Sequence, residues 1–501
     1  MQQPPFSDED LTTALRVLAA VADDRRTLAD VEAERRVELQ RLAGEVARPD
    51  LKQRKKLQRE LRRRDARAKK HHDEALREKT GIRELRAQPV FVTPQALPPP
   101  TTEEAERGQL RDHAPELNEP RKCYVCKAEY RRLHFFYDQL CPACGDLNHD
   151  KRSPRADLSG RVALVTGARV KIGYHAAILL LRNGCHVVVT TRFARDAAAR
   201  FAREPDFAEW RDRLSIYGLD LRHTPSVEIL AKHLDQDLPR LDFVLHNACQ
   251  TVRRPPGFYG HLVAHEERPL KELPPEERAL VEGYEQLRSS ARGAGLLAPA
   301  RLSQAQSDAD LLLPDAKASL VEIFPSGVLD ADLQQVDLRA HNSWRLTLAE
   351  VPTLELLEVL LVNAVAPFVL SARLKPLMLR HPAPDKHIVN VSAMEGQFYR
   401  EHKTDKHPHT NMAKAALNML TRTSAQDYVR DGIHMNSVDT GWVTDEDPAH
   451  LAERKVEEHL FSPPLDVVDG AARIVDPIFV GLQSGQHPWG QFFKDYAPVP
   501  W

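Results

Sequence analysis

Cysteine is scarce in this chain: six residues in 501, four within one short stretch and two, Cys185 and Cys249, isolated. So few, so clustered, exclude a small secreted scaffold stapled by disulfides. Long apolar runs are lacking too. The longest, AAILLLRNGCHVVVT, is broken by Arg182, Asn183 and Gly184, and no run approaches the ~20 residues that cross a bilayer, so no membrane partner is expected. The opening MQQPPFSDED is polar and acidic, with neither the basic start nor the apolar centre of a targeting segment. A cytoplasmic protein is the expectation. Net charge is also nearly absent, at −2, but basic residues crowd into the first quarter. No internal repeat stands out. At this length one core does not suffice, and two or three folded units are expected.

Residues 1–90 read as a charged helical region. Ser7 caps, Asp8, Glu9 and Asp10 suit a first turn, and Leu11, Ala14, Leu15, Leu18 and Val21 form one apolar stripe. Farther on, Val31, Val37, Leu42, Leu51, Leu57 and Leu61 are sparse hydrophobes, and Pro49 separates two helices in a hairpin or coiled-coil-like arrangement. The run LKQRKKLQRELRRRDARAKKHH lies within residues 51–79, the candidate surface for a polyanion or a protein partner. The plainer account is a solvated face that pairs with acidic neighbours or with a second protomer, since no aromatics interleave as in a base-stacking surface. Residues 91–118, rich in proline, read as an extended linker.

Residues 119–152 hold two CxxC pairs, Cys123/Cys126 and Cys141/Cys144, separated by fourteen residues. Each pair makes a tight turn that presents two thiolates, and two such turns close a tetrahedron. The unit resembles a zinc ribbon or a rubredoxin-like knuckle. Structural zinc is expected, with iron as the alternative for four sulfurs. His134 and His149 are read as surface or supporting residues, because four sulfurs already fill the shell.

From residue 157 to 501 the landmarks are those of a doubly wound α/β domain. Gly160–Val165 reads as a short buried strand, and Thr166-Gly167-Ala-Arg-Val-Lys-Ile-Gly173 follows it, opening a helix at about Tyr174. Glycines there let backbone approach a diphosphate, and the helix start supplies amide donors. This string resembles the TGxxxGxG fingerprint of the short-chain dehydrogenase/reductase family, with Lys171 in place of the middle glycine. The resemblance continues in order. Asp220-Leu221 matches the family's adenine contact, and His246-Asn247-Ala248-Cys249 its NNAG segment. Asn363 matches the helix asparagine, Ile388–Ser392 the fifth strand, and Thr440-Gly441-Trp442-Val443 the PG-x-V loop. It implies a parallel Rossmann sheet and a nicotinamide dinucleotide held by Gly167, Arg169, Lys171, Ile172, Gly173, Arg192, Asp220, Leu221, Asn247, Ala248, Lys414 and Val443. Arg192 ends the second strand where an acidic residue would bind an NAD ribose, so the resemblance implies NADP rather than NAD, with Arg169 as a second cation for the 2′-phosphate.

The reaction centre departs from the family. MAKAALNMLTRTSAQDY matches the catalytic helix and makes Lys414 its lysine, but Thr410 stands where the family has tyrosine, and the usual serine falls on Ala393, beside Ser392. An aliphatic hydroxyl is too weak an acid to replace a phenol. Three readings remain open. One is a relocated acid among Tyr399, His402, Lys403, His407 and His409; Tyr399 would lie in a loop folding over the nicotinamide. The second is a different chemistry in a histidine-rich site, and the third a silent NADP-binding scaffold. With Lys414, Asn363, Ser392, Tyr399, Thr410 and His409 as candidate catalytic residues, the leading expectation is an oxidoreductase acting on a small carbonyl or alcohol, with homo-oligomerisation open. Residues 259–349 are extra to a strand-to-helix crossover and read as a lid over the site or as a packing or dimerisation element.

Overall fold

The computed structural model describes residues 6–94, 115–254, 258–290, 296, 323–399 apart from 326, 403–444 and 462–501, with a few positions between 446 and 455. The chain divides into two compact units, residues 1–72 and 73–501.

The first unit is helical. Helix α1 (Asp8–Asp23) opens with a reciprocal cap, in which Ser7 Oγ accepts from Asp10 N at 3.1 Å and the Asp10 carboxylate accepts from Ser7 N at 2.8 Å. Helix α2 (Ala33–Ala47) follows, and α3 (Leu51–Arg77) begins beyond Pro49. Every residue of α3 from Leu51 to His72 is exposed.

The second unit begins at Asp73, earlier than a boundary near residue 90 anticipates. The reason is charge burial. Arg77 pairs with Glu74 and, at 2.8 Å, with the fully buried Asp138, which also takes Arg83 at 2.8 Å. Helix α4 (Gly81–Ala87) continues this layer. Strand β1 (Glu116–Lys122) starts inside the stretch read as linker and pairs antiparallel with β2 (Glu129–Arg132); α5 (Pro142–Lys151) follows. This cysteine-bearing segment is no free-standing module. Leu117, Cys123, Leu133, Tyr137 and Leu140 share one core with Val443, Leu465, Val467 and Val468.

The remainder is a doubly wound α/β fold around an eight-stranded sheet. In chain order it comprises β3 (Val162–Thr166), α6 (Lys171–Arg182), β4 (His186–Thr191), α7 (Ala194–Phe201), β5 (Leu214–Gly218), α8 (Thr224–Asp237) and β6 (Phe243–His246). Next come α9 (Gly260–Glu266), α10 (Pro275–Ser289), α11 (Thr353–Leu360), a π turn at Leu361–Val365, α12 (Ala366–Leu379) and β7 (Lys386–Ser392). The chain closes with α13 (Pro408–Val429), β8 (Ile433–Asp439), α14 (Val467–Ser484), β9 (Phe492–Lys494) and β10 (Ala497–Val499). The strand order is β10-β9-β8-β7-β6-β3-β4-β5, all parallel except the β9–β10 pair. Strands covered on both faces read as continuous apolar runs, and every residue of β3, β7 and β8 is buried. The order reverses between β3 and β6, so the crevice for a ligand opens beyond their carboxyl ends.

Residues Thr353–Leu379 form a 27-residue helical stretch of hydropathy 1.8, long and apolar enough by length and composition to cross a membrane. Read linearly, its charges break the run; as a helix it continues through Asn363 and Pro367. Here it is a cleft wall: its buried Glu358 takes Arg222 at 3.2 Å and Arg253 at 2.9 Å. Within the insertion, α10 lies along β5, with the Tyr284 ring filling the space that a Cβ on Gly218 would occupy. It covers the sheet edge, which would otherwise expose unpaired backbone. Residues 297–322 lie outside the described residues.

Candidate functional site

The cleft at the switch point measures about 1060 Å3, the size of a cofactor-plus-substrate site. Its floor is a crossing of two loops. Gly167 has φ +69°, and a Cβ there would stand 2.7 Å from Ala248 Cα; a Cβ on Gly173 would stand 2.2 Å from Asn247 Nδ2. Asn247 Nδ2 donates to Thr166 O at 3.0 Å and Gly167 O at 3.1 Å, and Ala248 N donates to Thr166 Oγ1 at 3.1 Å. The glycines therefore serve this loop contact as well as any ligand. Helix α6 starts at Lys171 with no side-chain cap, which leaves its first amides for an anion. Lys171 holds φ +56°, the left-handed conformation for which the fingerprint's glycine is suited. Its ammonium faces Glu446 and Asp332. Desolvation raises the Asp332 carboxyl against the pull of Lys171, whereas Glu446 stays below its ordinary value, Lys171 being the strongest influence against desolvation.

At the other end of the groove, Arg192 lines the cleft, donates to Tyr259 Oη at 2.7 Å and stacks on that ring at 4.5 Å. Leu221 lines the same end; the Asp220 carboxylate is clamped by Arg222 at 2.5 Å. Arg169 differs from expectation: its guanidinium is buried, held by Asp196 at 2.7 Å and Gln334 at 3.3 Å, and thus already committed. Ile172 and Val443 line the opposite wall.

Of the six candidate catalytic residues, two line the cleft. Lys414, on α13, donates Nζ to Val391 O at 2.7 Å, and Ser392 donates Oγ to Asn418 Oδ1 at 2.5 Å. Asn363 sits behind the wall in the π turn, a geometry frequent at functional sites. It accepts from Gln250 N at 2.8 Å and donates to Gln250 O at 3.1 Å, pinning the chain that follows the His246–Cys249 segment. The other three do not line the cleft. Tyr399 is 55% exposed and does not line the cleft. His409 is buried 3.6 Å from Glu355, and Thr410 is buried with no hydrogen-bond partner for Oγ1 among the described residues. The helix phase explains this: Asn411 and Lys414 share the cleft-facing side of α13 with the preceding cap residue His407, whereas His409, Thr410 and Ala413 turn inward and Met412 is exposed. His402 lies outside the described residues. His407 stacks on Trp344 with centroids 3.9 Å apart, and burial lowers its pKa.

Two features escape a linear reading. Asp439, ending β8, accepts from Met394 N and Gly441 N at 2.7 Å each, and burial next to Glu395 raises its pKa to about 6. The cysteine unit also contributes to the rim: Tyr124 and Lys127 line the cleft, and Trp442 N donates to Tyr124 Oη at 3.0 Å. The four sulfurs of Cys123, Cys126, Cys141 and Cys144 lie within 4.8 Å of one another, with Cys126 and Cys141 at 3.7 Å. A tetrahedron with metal–sulfur bonds of about 2.3 Å has edges of about 3.8 Å, so the donor set fits one ion. An amide hydrogen bond from the Ala128 region lowers the Cys126 thiol to about 7. His134 stands behind the cluster, accepting from Phe136 N and Tyr137 N.

Comparison with known proteins agrees with this geometry. The family described as short chain dehydrogenase matches residues 161–259, and that described as Enoyl-(Acyl carrier protein) reductase matches residues 333–462. An uncharacterized protein of Acanthamoeba polyphaga mimivirus is 30% identical over 391 residues, 75% of this chain and 74% of that protein. The WW domain-containing oxidoreductase of Drosophila melanogaster is 36% identical over 95 residues, 18% of this chain and 23% of the fly protein. Human dehydrogenase/reductase SDR family member 13 is 34% identical over 108 residues, 21% of this chain and 26% of the human protein. Among solved structures, the Pseudomonas aeruginosa RhlG/NADP active-site complex aligns at TM-score 0.42 and 18% identity, covering 67% of this chain and 95% of that one. The chain belongs to the short-chain dehydrogenase/reductase family, a family of oxidoreductases.

Proposed function

We propose that this chain is an NADP(H)-dependent oxidoreductase interconverting an alcohol and a carbonyl, with His407 in the role the family gives to tyrosine. The observation that carries the reading is the single cleft in which an uncapped helix start, Arg192, Lys414 and Ser392 are strung along one groove. A nicotinamide, when bound, would supply hydride transfer there. The α6 amides and Lys171 would hold its diphosphate, Arg192 its 2′-phosphate, and Lys414 and Asn363 would fix the groove's far end. In the oxidising direction the neutral His407 imidazole would take the proton of the substrate hydroxyl, and in the reducing direction the imidazolium would return it. A depressed imidazole pKa keeps this base neutral at pH 7. Zinc in the four-thiolate site is structural, closed to substrate by its full shell.

The test is NADPH consumption against a carbonyl panel. His407→Gln should lower kcat by about 100-fold or more while NADPH still raises Tm, and full activity in that variant refutes the assignment. Arg192→Gln should weaken NADPH and leave NADH unchanged. A second reading, a silent NADP-binding scaffold, is favoured by the buried Thr410 in the tyrosine position. It predicts NADPH-dependent stabilisation with no turnover of any carbonyl.

A further inference from the structure

Helix α3 is the least explained feature of the molecule. Between Lys52 and Lys70 it carries eleven lysines and arginines against two acids, Glu60 and Asp65. Local pairing absorbs little of this: Arg63 meets Glu60 at 2.8 Å and Arg64 meets Asp65 at 3.2 Å, and the other nine cations make no ion pair among the described residues. All of them are exposed.

Their placement is not uniform around the helix. At 3.6 residues per turn, Lys52, Lys55, Lys56, Arg59, Arg63 and Lys70 fall within an arc of roughly 100°, with Arg62 and Arg67 on its flanks. Arg54, Arg64 and Lys69 lie off it, and both acids lie outside it. The opposite side presents Leu57, Leu61 and Ala68. The stripe is therefore a straight row of cations about 27 Å long, at ~1.5 Å of rise per residue. Like charges three and four positions apart weaken a helix, so a row of this kind keeps its lowest energy when a polyanion lies along it.

We propose that this stripe binds the phosphodiester backbone of a duplex nucleic acid without reading sequence. Duplex DNA carries a charge about every 1.7 Å of its axis, dense enough to meet every residue of the row. The glutamines, Gln53 and Gln58, lie off the stripe, and no aromatic or amide side chain stands in it to read a base edge. A membrane is the less suitable polyanion, because insertion needs a broad apolar face, and only two leucines oppose the stripe. Contact is thus electrostatic and strongly salt-dependent.

The experiment measures binding of the full chain to fluorescein-labelled 20-base-pair duplexes of DNA and of RNA by anisotropy, from 50 to 200 mM salt. If about six phosphates are neutralised, affinity should fall ~10³-fold across that range, with a log–log slope near −5. The triple variant Lys55→Gln/Arg59→Gln/Arg63→Gln should lose about 2.7 units of slope. Arg54→Gln/Arg64→Gln/Lys69→Gln, equal in charge change but off the stripe, should lose less than one unit. Glutamine propagates helix nearly as well as lysine, so unchanged circular dichroism keeps the comparison interpretable. The DNA and RNA arms decide which duplex is preferred, and either outcome supports the proposal. Absence of binding at 50 mM salt, equal losses in the two triple variants, or binding only to phosphatidylserine vesicles would overturn it.

Discussion

Lys171→Gly restores the glycine that the dinucleotide fingerprint ordinarily has, and its consequences separate two roles for the side chain. Lys171 sits at φ +56°, where an L residue forfeits about 1 kcal/mol. Glycine adopts that angle freely but costs about 0.5–1 kcal/mol more on folding. The two nearly cancel, so Tm should move by no more than a few degrees. Affinity should not be neutral. The ammonium stands at the start of α6, within the field of Glu446 and Asp332; without it a bound diphosphate loses one charge-assisted hydrogen bond and meets those two carboxylates with one cation fewer. A hydrogen bond to a charged group contributes about 1.5–3 kcal/mol, and ~1.4 kcal/mol is tenfold in Kd. NADPH should therefore bind roughly 10- to 150-fold more weakly to Lys171→Gly, measured by isothermal titration calorimetry alongside a thermal melt of the free protein. Tighter binding would refute the reasoning, because it would mean the side chain obstructs the groove rather than grips its ligand.

Other perturbations probe the frame around the cleft. Arg152 is buried and holds Asp466 at 2.8 Å and Asp469 at 2.8 Å; Arg152→Ala should cost about 3–5 kcal/mol in urea unfolding, and a loss below about 1 kcal/mol would show the network to be dispensable. His246 is buried, and burial lowers its pKa to about 3. A depressed imidazole contributes stability that is whole above the unfolded value near 6.5 and declines as pH falls below it. At pH 5 that decline is about 2 kcal/mol, so the stability gap between wild type and His246→Asn should shift by this amount in favour of the variant from pH 7.5 to pH 5; parallel pH profiles would contradict the burial argument. Chelation or Cys126→Ser/Cys144→Ser should lower Tm and weaken NADPH together, since Tyr124 and Lys127 form part of the cleft rim; an unchanged Kd would make the two sites independent.

The sheet was legible because parallel strands buried on both faces write themselves as apolar runs, and because the loops at their carboxyl ends have strict steric demands. Gly167 and Gly173 could be placed from sequence alone, and so could the four cysteines, whose spacing carries its own geometry. The reaction centre was less legible. His407, His409 and Thr410 are neighbours in sequence but face different ways on α13, and a one-residue phase difference decides which reaches the cleft. Helix phase near an N-terminus depends on where the helix starts, here at Pro408 after a left-handed His407. The pairing of Arg169 was hidden for another reason: its partner Asp196 lies one helix and one strand away, which no local pattern records. The boundary at Asp73 depends on burial of Arg77 by Asp138, sixty-one positions away.

The cysteine unit and the Rossmann fold share more than adjacency. Tyr137 Oη donates to Asp469 Oδ1 at 2.5 Å, and Asp469 is held in turn by Arg152 from the end of α5. Asp466 caps the same helix, accepting from Val468 N and Asp469 N. Helix α14 therefore has its N-terminal carboxylates neutralised by the cysteine-bearing segment, and it packs on the Gly441–Val443 loop through Gly470 against Val443, with Leu465 just before it against Gly441. That loop is one wall of the cleft, and Tyr124 fastens it again from outside. Four clustered thiols in a short hairpin and helix, which share their core with Val443, Leu465, Val467 and Val468, thus stand behind one wall of the cleft. The segment precedes β3 without forming a separate domain, because its packing is completed only against α14, hundreds of residues later in the chain.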